Sequence, residues 1–207
     1  MEQLVILGGG RQAFETSGYL LELGHTIRCF LESTPAKSRP DEEEYPGEIR
    51  GIDQLPLLTE TSLFISAVGD TSVRRRLVEL AINAKFTNCI SPHAWVSSHA
   101  RLGLDVTIAP MAVINAAADI QDHTLINVGS IVSHDVVIGP FVTLGPRSAI
   151  GGNARIGEGS YLGIGSVVLD GVTIGKSVVV GAGAVVINDI KDGQTVVGVP
   201  ALPIIQQ

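Results

Sequence analysis

The stretch IGGNAR IGEGSY LGIGSV VLDGVT IGKSVV, residues 150–179, places an aliphatic side chain at every sixth position. The spacing continues in both directions without an insertion. Its members are all Ile, Leu or Val: Ile90, Val96, Leu102, Ile108, Ile114, Ile120, Ile126, Val132, Ile138, Leu144, Ile150, Ile156, Leu162, Val168, Ile174, Val180 and Val186. A period of six fits neither an amphipathic helix nor one alternating strand. It indicates a coil with three short strands per turn, in which residues eighteen apart stack about 4.8 Å from each other.

The residues between the aliphatic positions fit the corners of such a coil. Glycine often follows the aliphatic residue directly: Gly139, Gly145, Gly151, Gly157, Gly163, Gly175 and Gly181. Gly, Asn and Asp are the residues that turn a chain sharply. Aliphatic ladders would fill the interior, which agrees with an aromatic content of only 4%. The second half of the chain therefore reads as a parallel β-helix.

Residues 1–89 have a different pattern, in which strands alternate with helices. We predict strands at Gln3–Leu7, 25–31 and 63–68, a helix that ends at Leu23, a second helix at 71–83 and a loop at 33–47. Asp70 or Thr71 is the expected cap of the second helix. Alternation of this kind indicates a small parallel sheet with ligands at the carboxyl ends of its strands.

A glycine turn follows the first predicted strand. Gly8, Gly10 and Ala13 have the spacing of a loose dinucleotide fingerprint, and Glu32 lies about where a ribose-binding acid belongs. The sheet is too small for the two halves of a full NAD site, so a single nucleotide is the better fit. The alternative is that the glycines only permit a tight turn before the helix.

Composition narrows the class of protein. A net charge of −7 argues against nucleic acid or an anionic membrane as partner. No apolar stretch approaches the roughly 18 residues that span a bilayer, and no leader pattern precedes the first strand, so we expect a cytoplasmic protein. Cys29 and Cys89 lie in apolar runs and are expected to be reduced core residues.

Most histidines fall at coil corners. His93, His99 and His123 lie three positions after an aliphatic residue, where side chains should face solvent. Three imidazoles that converge on one zinc ion are not expected from these separations, so we predict no metal.

His134 stands out because Asp135 follows it and its neighbours in the stack are small. Residues eighteen positions away are Ala116 and Gly152, which leaves room beside the imidazole. An adjacent carboxylate can fix the tautomer and raise the basicity of a histidine. The backbone N–H of Gly152 is a candidate donor to an oxyanion. The alternative is that His134 and Asp135 are corner residues of the coil without a catalytic role.

Several motifs together resemble one family across the whole chain. They are Gly8–Gly10, Cys29-Phe30-Leu31-Glu32, Ala67-Val68-Gly69-Asp70 leading to Arg74, Ser133-His134-Asp135, the run 149–153 and Val197-Gly198-Val199-Pro200-Ala201. The family contains bacterial sialic-acid O-acetyltransferases and nucleotide-sugar N-acetyltransferases within the hexapeptide-repeat transferases. The resemblance implies a Rossmann-like α/β domain for nucleotide sugar at 1–89 and a left-handed parallel β-helix with a C-terminal tail at 90–207.

The resemblance also implies roles for single residues. His134 would be the general base, tuned by Asp135. Acetyl-CoA would lie between neighbouring β-helices of a homotrimer, at Thr143, Gly152, Ile164 and Ala182. The sugar nucleotide would be held by Gly10, Arg11, Gln12, Glu32, Ser33 and Gly69. The chain departs from the family where Arg11-Gln12 replaces Gly-His, where Ser33 replaces an acid, and where Leu202 replaces a basic residue.

We therefore expect acetyl-CoA-dependent N-acetylation of a nucleotide-activated 4-amino sugar in bacterial glycan biosynthesis. Alternatives are O-acetylation of sialic acid or another sugar hydroxyl, and a protein that binds sugar nucleotides without catalysis. The basic run 74–76 is interpreted as a solvated helix face rather than a phosphate contact.

Overall fold

A computed structural model describes residues 3–33 and 45–204, so most of the loop predicted at 33–47 lies outside the described residues. The strands of the N-terminal sheet are β1 (Gln3–Leu7), β2 (Thr26–Glu32), β3 (Glu48–Gly51), β4 (Ser62–Ser66) and β5 (Lys85–Phe86). They are parallel and lie in the order β3-β2-β1-β4-β5. The helices are α1 (Arg11–Glu22), α2 (Thr71–Leu80) and a 3-10 helix (Ile52–Leu57). Within the described ranges, no helix is long and apolar enough to cross a membrane.

The small parallel sheet expected from the sequence is confirmed, with shifted ends. The third predicted strand stops at Ser66, and α2 ends at Leu80 rather than at Asn83. The carboxylate of Asp70 caps α2, because it accepts hydrogen bonds from the N–H groups of Ser72 and Val73 at 2.9 Å. Strands β3 and β5 were not predicted, because they are too short to show a periodic pattern.

The second half is a parallel β-helix built from two-residue strands. They are β6 (Cys89–Ile90), β7 (Trp95–Val96), β8 (Arg101–Leu102), β9 (Thr107–Ile108), β10 (Val113–Ile114), β11 (Asp119–Ile120), β12 (Leu125–Ile126), β13 (Ile131–Val132), β14 (Val137–Ile138), β15 (Thr143–Leu144), β16 (Ala149–Ile150), β17 (Arg155–Ile156), β18 (Tyr161–Leu162), β19 (Val167–Val168), β20 (Thr173–Ile174), β21 (Val179–Val180) and β22 (Val185–Val186). β23 (Thr195–Val197) and β24 (Leu202–Pro203) close the end. The aliphatic ladder is the core of the coil, as the period of six predicts. Its first members, Ile90, Val96 and Leu102, are only partly buried.

The coil has three faces, and their outward residues differ. The six-stranded face, β22-β19-β16-β13-β10-β7, presents only apolar side chains: Trp95, Val113, Ile131, Ala149, Val167 and Val185. The five-stranded face, β20-β17-β14-β11-β8, presents mostly polar ones: Arg101, Asp119, Val137, Arg155 and Thr173. The N-terminal domain packs on the eight-stranded face over β6, β9, β12 and β15. The outward residues of these strands are buried: Cys89, Thr107, Leu125 and Thr143. The domains therefore share one packed junction.

Close packing between coils decides where glycine is required. A Cβ atom on Gly145 would lie 2.7 Å from the carbonyl oxygen of Leu162, which is backbone of the next coil and cannot move aside. Gly18, inside α1, would meet no atom within 4 Å.

Replacing these two glycines by alanine should therefore have opposite effects. Gly145→Ala is expected to destabilise the protein by about 1–3 kcal/mol through overpacking. Gly18→Ala should stabilise it by about 0.5–1 kcal/mol, because alanine is the better helix former. Urea unfolding of both variants at one protein concentration measures the difference. Equal stability of the two variants would contradict the coil spacing described here.

Candidate active site

His134 and Asp135 form a pair at the corner between β13 and β14. Asp135 has a positive φ of 59°, a conformation that aspartate tolerates better than most residues and that recurs at the coil corners. Its Oδ2 lies 2.9 Å from Nδ1 of His134. The His134 side chain is 64% exposed. With Nδ1–H directed to the carboxylate, Nε2 is the ring nitrogen left to accept a proton from a ligand.

The imidazole lies directly over Gly152, one coil further along. A Cβ atom at that position would be 2.8 Å from Cε1 and 2.9 Å from Nε2 of His134. Any side chain there would push the ring away. The room expected beside His134 is therefore present, and glycine provides it.

The Gly152 amide is engaged in a way that the sequence did not indicate. Its N–H donates to Oδ1 of Asp170 at 2.8 Å, so the hydrogen is not directed at an incoming oxyanion. The same bond occurs elsewhere on the coil, where Leu104 N–H donates to Asp122 Oδ1, also at 2.8 Å. An oxyanion role for Gly152 therefore requires Asp170 to release the amide.

A second site lies at the carboxyl ends of β1 and β4. It is a cleft of about 300 Å³, and its lining includes all the residues predicted to hold a sugar nucleotide: Gly10, Arg11, Gln12, Glu32, Ser33 and Gly69. The glycine turn is tightly held, because the Tyr45 hydroxyl donates to the Gly9 carbonyl at 3.1 Å. A Cβ atom on Gly9 would lie 2.8 Å from Cδ of Glu32. The glycine at this point thus lets the Glu32 side chain pack against the turn.

Gln12, which stands where the family resemblance implies a histidine, is one of the residues that line this cleft. The Nε2 atom is buried and has no hydrogen-bond partner among the described residues. A buried donor without a partner is costly, so a ligand acceptor would stabilise it.

The residues predicted for acetyl-CoA lie apart from one another. Gly152 follows a strand of the six-stranded face, whereas Ile164 and Ala182 follow strands of the eight-stranded face and are exposed. Thr143 does not fit a direct side-chain contact, because it is only 2% exposed and buried under the N-terminal domain. Its hydroxyl donates to the Gly69 carbonyl at 3.0 Å and accepts from Arg74 at 2.9 Å. Both hydrogen bonds of this hydroxyl go to the N-terminal domain, and a role of Thr143 in acetyl-CoA binding stays a prediction.

Arg74 is buried, which corrects the interpretation of the basic run 74–76 as a solvated helix face. Its exposure is only 1%. Its guanidinium donates to the carbonyls of Val68, His123, Phe141 and Val142 at 2.6–3.0 Å. Burial lowers the pKa of Arg74 to about 10. The missed signal is spacing: Arg74 shares the helical stripe of the buried residues Leu77, Val78 and Ala81.

His123 is also more buried than a solvent-facing corner would allow. Its side chain is 16% exposed and stacks on Phe141 with ring centres 4.7 Å apart. Nδ1 of His123 lies 2.7 Å from Oδ2 of Asp105, whose Oδ1 accepts the Ser66 N–H at 2.7 Å. Burial raises the pKa of Asp105, against the effect of these hydrogen bonds. This cluster joins the end of β4 to the coil.

We searched the described part of the chain for side chains that could together bind a metal ion. No group of three or more His, Cys, Asp and Glu side chains at 3–33 or 45–204 is placed to hold a metal ion.

The chain is similar to known transferases. A family model described as bacterial transferase hexapeptide (six repeats) matches residues 153–188. A comparison with curated protein sequences gives no match.

Solved structures match over nearly the whole chain. The acetyltransferase domain of PglB from Neisseria gonorrhoeae FA1090, in complex with acetyl coenzyme A, is 31% identical with a TM-score of 0.90, over 98% of this chain and 99% of that chain. PerB from Caulobacter crescentus, in complex with CoA and GDP-perosamine, is 35% identical with a TM-score of 0.89, over 98% of this chain and 97% of that chain. WeeI from Acinetobacter baumannii AYE, 24% identical with a TM-score of 0.87 over 99% of this chain and all of that chain, shares the fold.

The two cysteines should be inert in the native protein. Both are buried, and burial raises the pKa of Cys89 to about 12. At pH 8 only about one Cys89 thiol in ten thousand would then be ionised. We expect N-ethylmaleimide to label the protein only after unfolding, as followed by mass spectrometry. Rapid labelling of the folded protein would show that a thiol is available for chemistry.

Proposed function

Because the chain belongs to the hexapeptide-repeat sugar acetyltransferases, we propose that it transfers the acetyl group of acetyl-CoA to the amine of a nucleotide-linked 4-amino sugar. The observation that carries this proposal is the His134–Asp135 pair above Gly152. A nucleotide-sized cleft lined by the predicted binding residues supports it. Two enzymes more than 30% identical also support it, since they were solved with acetyl-CoA or with CoA and GDP-perosamine.

The proposed reaction is a direct transfer in which His134 acts as general base. Nε2 of His134 takes a proton from the sugar amine as the nitrogen attacks the thioester carbonyl. The Asp135 carboxylate stabilises the imidazolium that forms. The tetrahedral intermediate then expels the CoA thiolate, which takes the proton from His134, so that an amide and a free thiol remain. The Gly152 N–H can steady the oxyanion only after Asp170 has released it.

We propose an amine rather than a hydroxyl as the acceptor because one similar protein acetylates an amine. A protein from Caulobacter crescentus that is 34% identical is described as a GDP-perosamine N-acetyltransferase. O-acetylation of sialic acid or another sugar would use the same base, and acceptors with and without an amine separate the two reactions.

The proposed active unit is a homotrimer. One chain cannot bring Gly152 together with Ile164 and Ala182, because they lie at different corners of the coil. A groove between the β-helices of two subunits can bring Gly152 of one subunit close to Ile164 and Ala182 of the other. The six-stranded face is suited to such packing, because its outward side chains are all apolar and Ile131 is 44% exposed.

Replacing the proposed base should abolish most of the activity. His134→Asn is expected to lower kcat by about 10²–10⁴, since a positioned general base contributes roughly that factor. Thiol release from acetyl-CoA is measured with GDP-, UDP- and dTDP-linked 4-amino sugars, GDP-perosamine included. His99→Asn, an exposed corner histidine, is the control and should keep full activity. Turnover that survives in His134→Asn would exclude the base assignment.

A charge on the apolar face should separate the subunits. Ile131→Asp is expected to convert a trimer into monomers, because an aspartate buried in the interface would lose its hydration. Thr173→Asp, on the five-stranded face, is the matched control and should leave the assembly intact. Light scattering after size-exclusion chromatography gives the molar mass. A monomeric parent protein, or a trimer that tolerates Ile131→Asp, would contradict the proposed interface.

A further inference from the structure

We propose that Thr143 and Arg74 are positioning residues for the sugar nucleotide, which they serve by fixing the Gly69 wall of the nucleotide cleft from the coil side. The inference rests on the proposed function for the identity of the ligand. It assigns to Thr143 a role different from the acetyl-CoA contact that family resemblance implies.

The wall consists of the residues that follow β4. Ala67, Val68 and Gly69 line the cleft on one side, and the carbonyls of Val68 and Gly69 face Arg74 and Thr143. The Gly69 carbonyl accepts from the Thr143 hydroxyl at 3.0 Å, and the Val68 carbonyl accepts from Arg74 at 2.6 Å. The wall is thus held by two side chains, Thr143 and Arg74, that are not among the residues lining the cleft.

Arg74 ties this wall to two successive coils. It donates to the carbonyl of His123, at the corner before β12, and to those of Phe141 and Val142, at the corner before β15. Its Nη1 also donates to the Thr143 hydroxyl at 2.9 Å, which leaves the hydroxyl hydrogen for Gly69. The donor and acceptor roles of Thr143 are therefore fixed by its two partners.

Charge strengthens this arrangement. Arg74 is desolvated, which disfavours its charged form; Asp105 and Asp70 favour the charged form, whereas Arg75 opposes it. Asp105 holds the other end of the wall through the N–H and hydroxyl of Ser66. Moving a charged group away from its buried partners costs free energy, so these contacts favour the observed position of the wall.

Thr143 lies on a different part of the coil from the proposed chemistry. It begins a strand of the eight-stranded face, whereas His134 and Gly152 follow strands of the six-stranded face. Ile164 and Ala182 follow strands of the same face as Thr143 but are exposed, whereas the Thr143 side chain is 2% exposed and, within the described ranges, its hydroxyl forms hydrogen bonds only with Gly69 and Arg74. A change at Thr143 should therefore alter nucleotide binding and leave acetyl-CoA binding intact.

The chain offers a matched control for this test. Thr107 occupies the same position as Thr143 two coils earlier, is equally buried, and has a hydroxyl without a hydrogen-bond partner among the described residues. Thr143→Val and Thr107→Val make the same isosteric change, and only the first removes hydrogen bonds to the cleft wall. Thr143→Ser restores the hydroxyl.

The experiment measures binding and turnover separately. Isothermal titration calorimetry gives the Kd of GDP, UDP and dTDP, and thiol release gives the KM for acetyl-CoA and for the sugar nucleotide that reacts. In Thr143→Val we expect the Kd of the nucleoside diphosphate and the KM of the sugar nucleotide to rise about tenfold, as for one lost buried hydrogen bond. The KM for acetyl-CoA should stay unchanged. Thr107→Val should match the parent protein, and Thr143→Ser should recover most of the affinity.

Other results would overturn the inference. A rise in the KM for acetyl-CoA alone would make Thr143 a cofactor contact. Equal effects in Thr143→Val and Thr107→Val would show that Thr143 contributes only packing. An unchanged nucleotide affinity in Thr143→Val would show that Thr143 does not position the sugar nucleotide. A parent protein that binds none of the diphosphates would refute the nucleotide site itself. Because calorimetry needs no turnover, diphosphate binding without acetyl transfer would refute the proposed reaction and still test Thr143.

Discussion

The structure depends on the parallel pairing of backbone strands eighteen residues apart. Ile131 N–H bonds to the carbonyl of Ser148 and Ser133 N–H to that of Ile150, so each coil is locked in register over the next. A shift by one residue would turn the aliphatic ladder outward, which keeps the register unique. The same lock places His134, Gly152 and Asp170 in one column. The column is a consequence of the core, because the residues inside fix the order of those at the corner.

The second constraint is the junction between the domains. Arg74, Asp105 and Thr143 join the end of β4 and the start of α2 to the coil by hydrogen bonds within a buried layer. The cleft at the ends of β1 and β4 is lined by the N-terminal domain alone, and the residues after β4 that line it are hydrogen-bonded to Thr143 of the coil and to Arg74. If the cleft holds the acceptor and the coil holds the base, this junction would fix their relative position, and substrate geometry at a reacting centre tolerates little error.

Sequence predicts those parts of the molecule that repeat or that lie near one another in the chain. The coil followed from the spacing of its aliphatic residues, and the His134–Asp135 pair followed from adjacency. Residues at strand ends also converge predictably, which is why Gly10, Glu32 and Gly69 were found in one cleft. The helical spacing of Arg74 places it on the buried stripe of α2, but its partners on the coil could not be predicted, because these carbonyls are 49 to 68 positions away. The Asp170 bond to Gly152 and the buried position of His123 likewise depend on packing between separate segments.

A crystal structure with bound CoA tests the central claim, that the coil register fixes the His134 ring at the point of acetyl transfer. The account predicts the CoA sulfur within about 4 Å of Nε2 of His134, with Nδ1 still on Asp135 and the pantetheine between two coils. A thiol bound in any other groove, or an imidazole turned away from the sulfur, would contradict it.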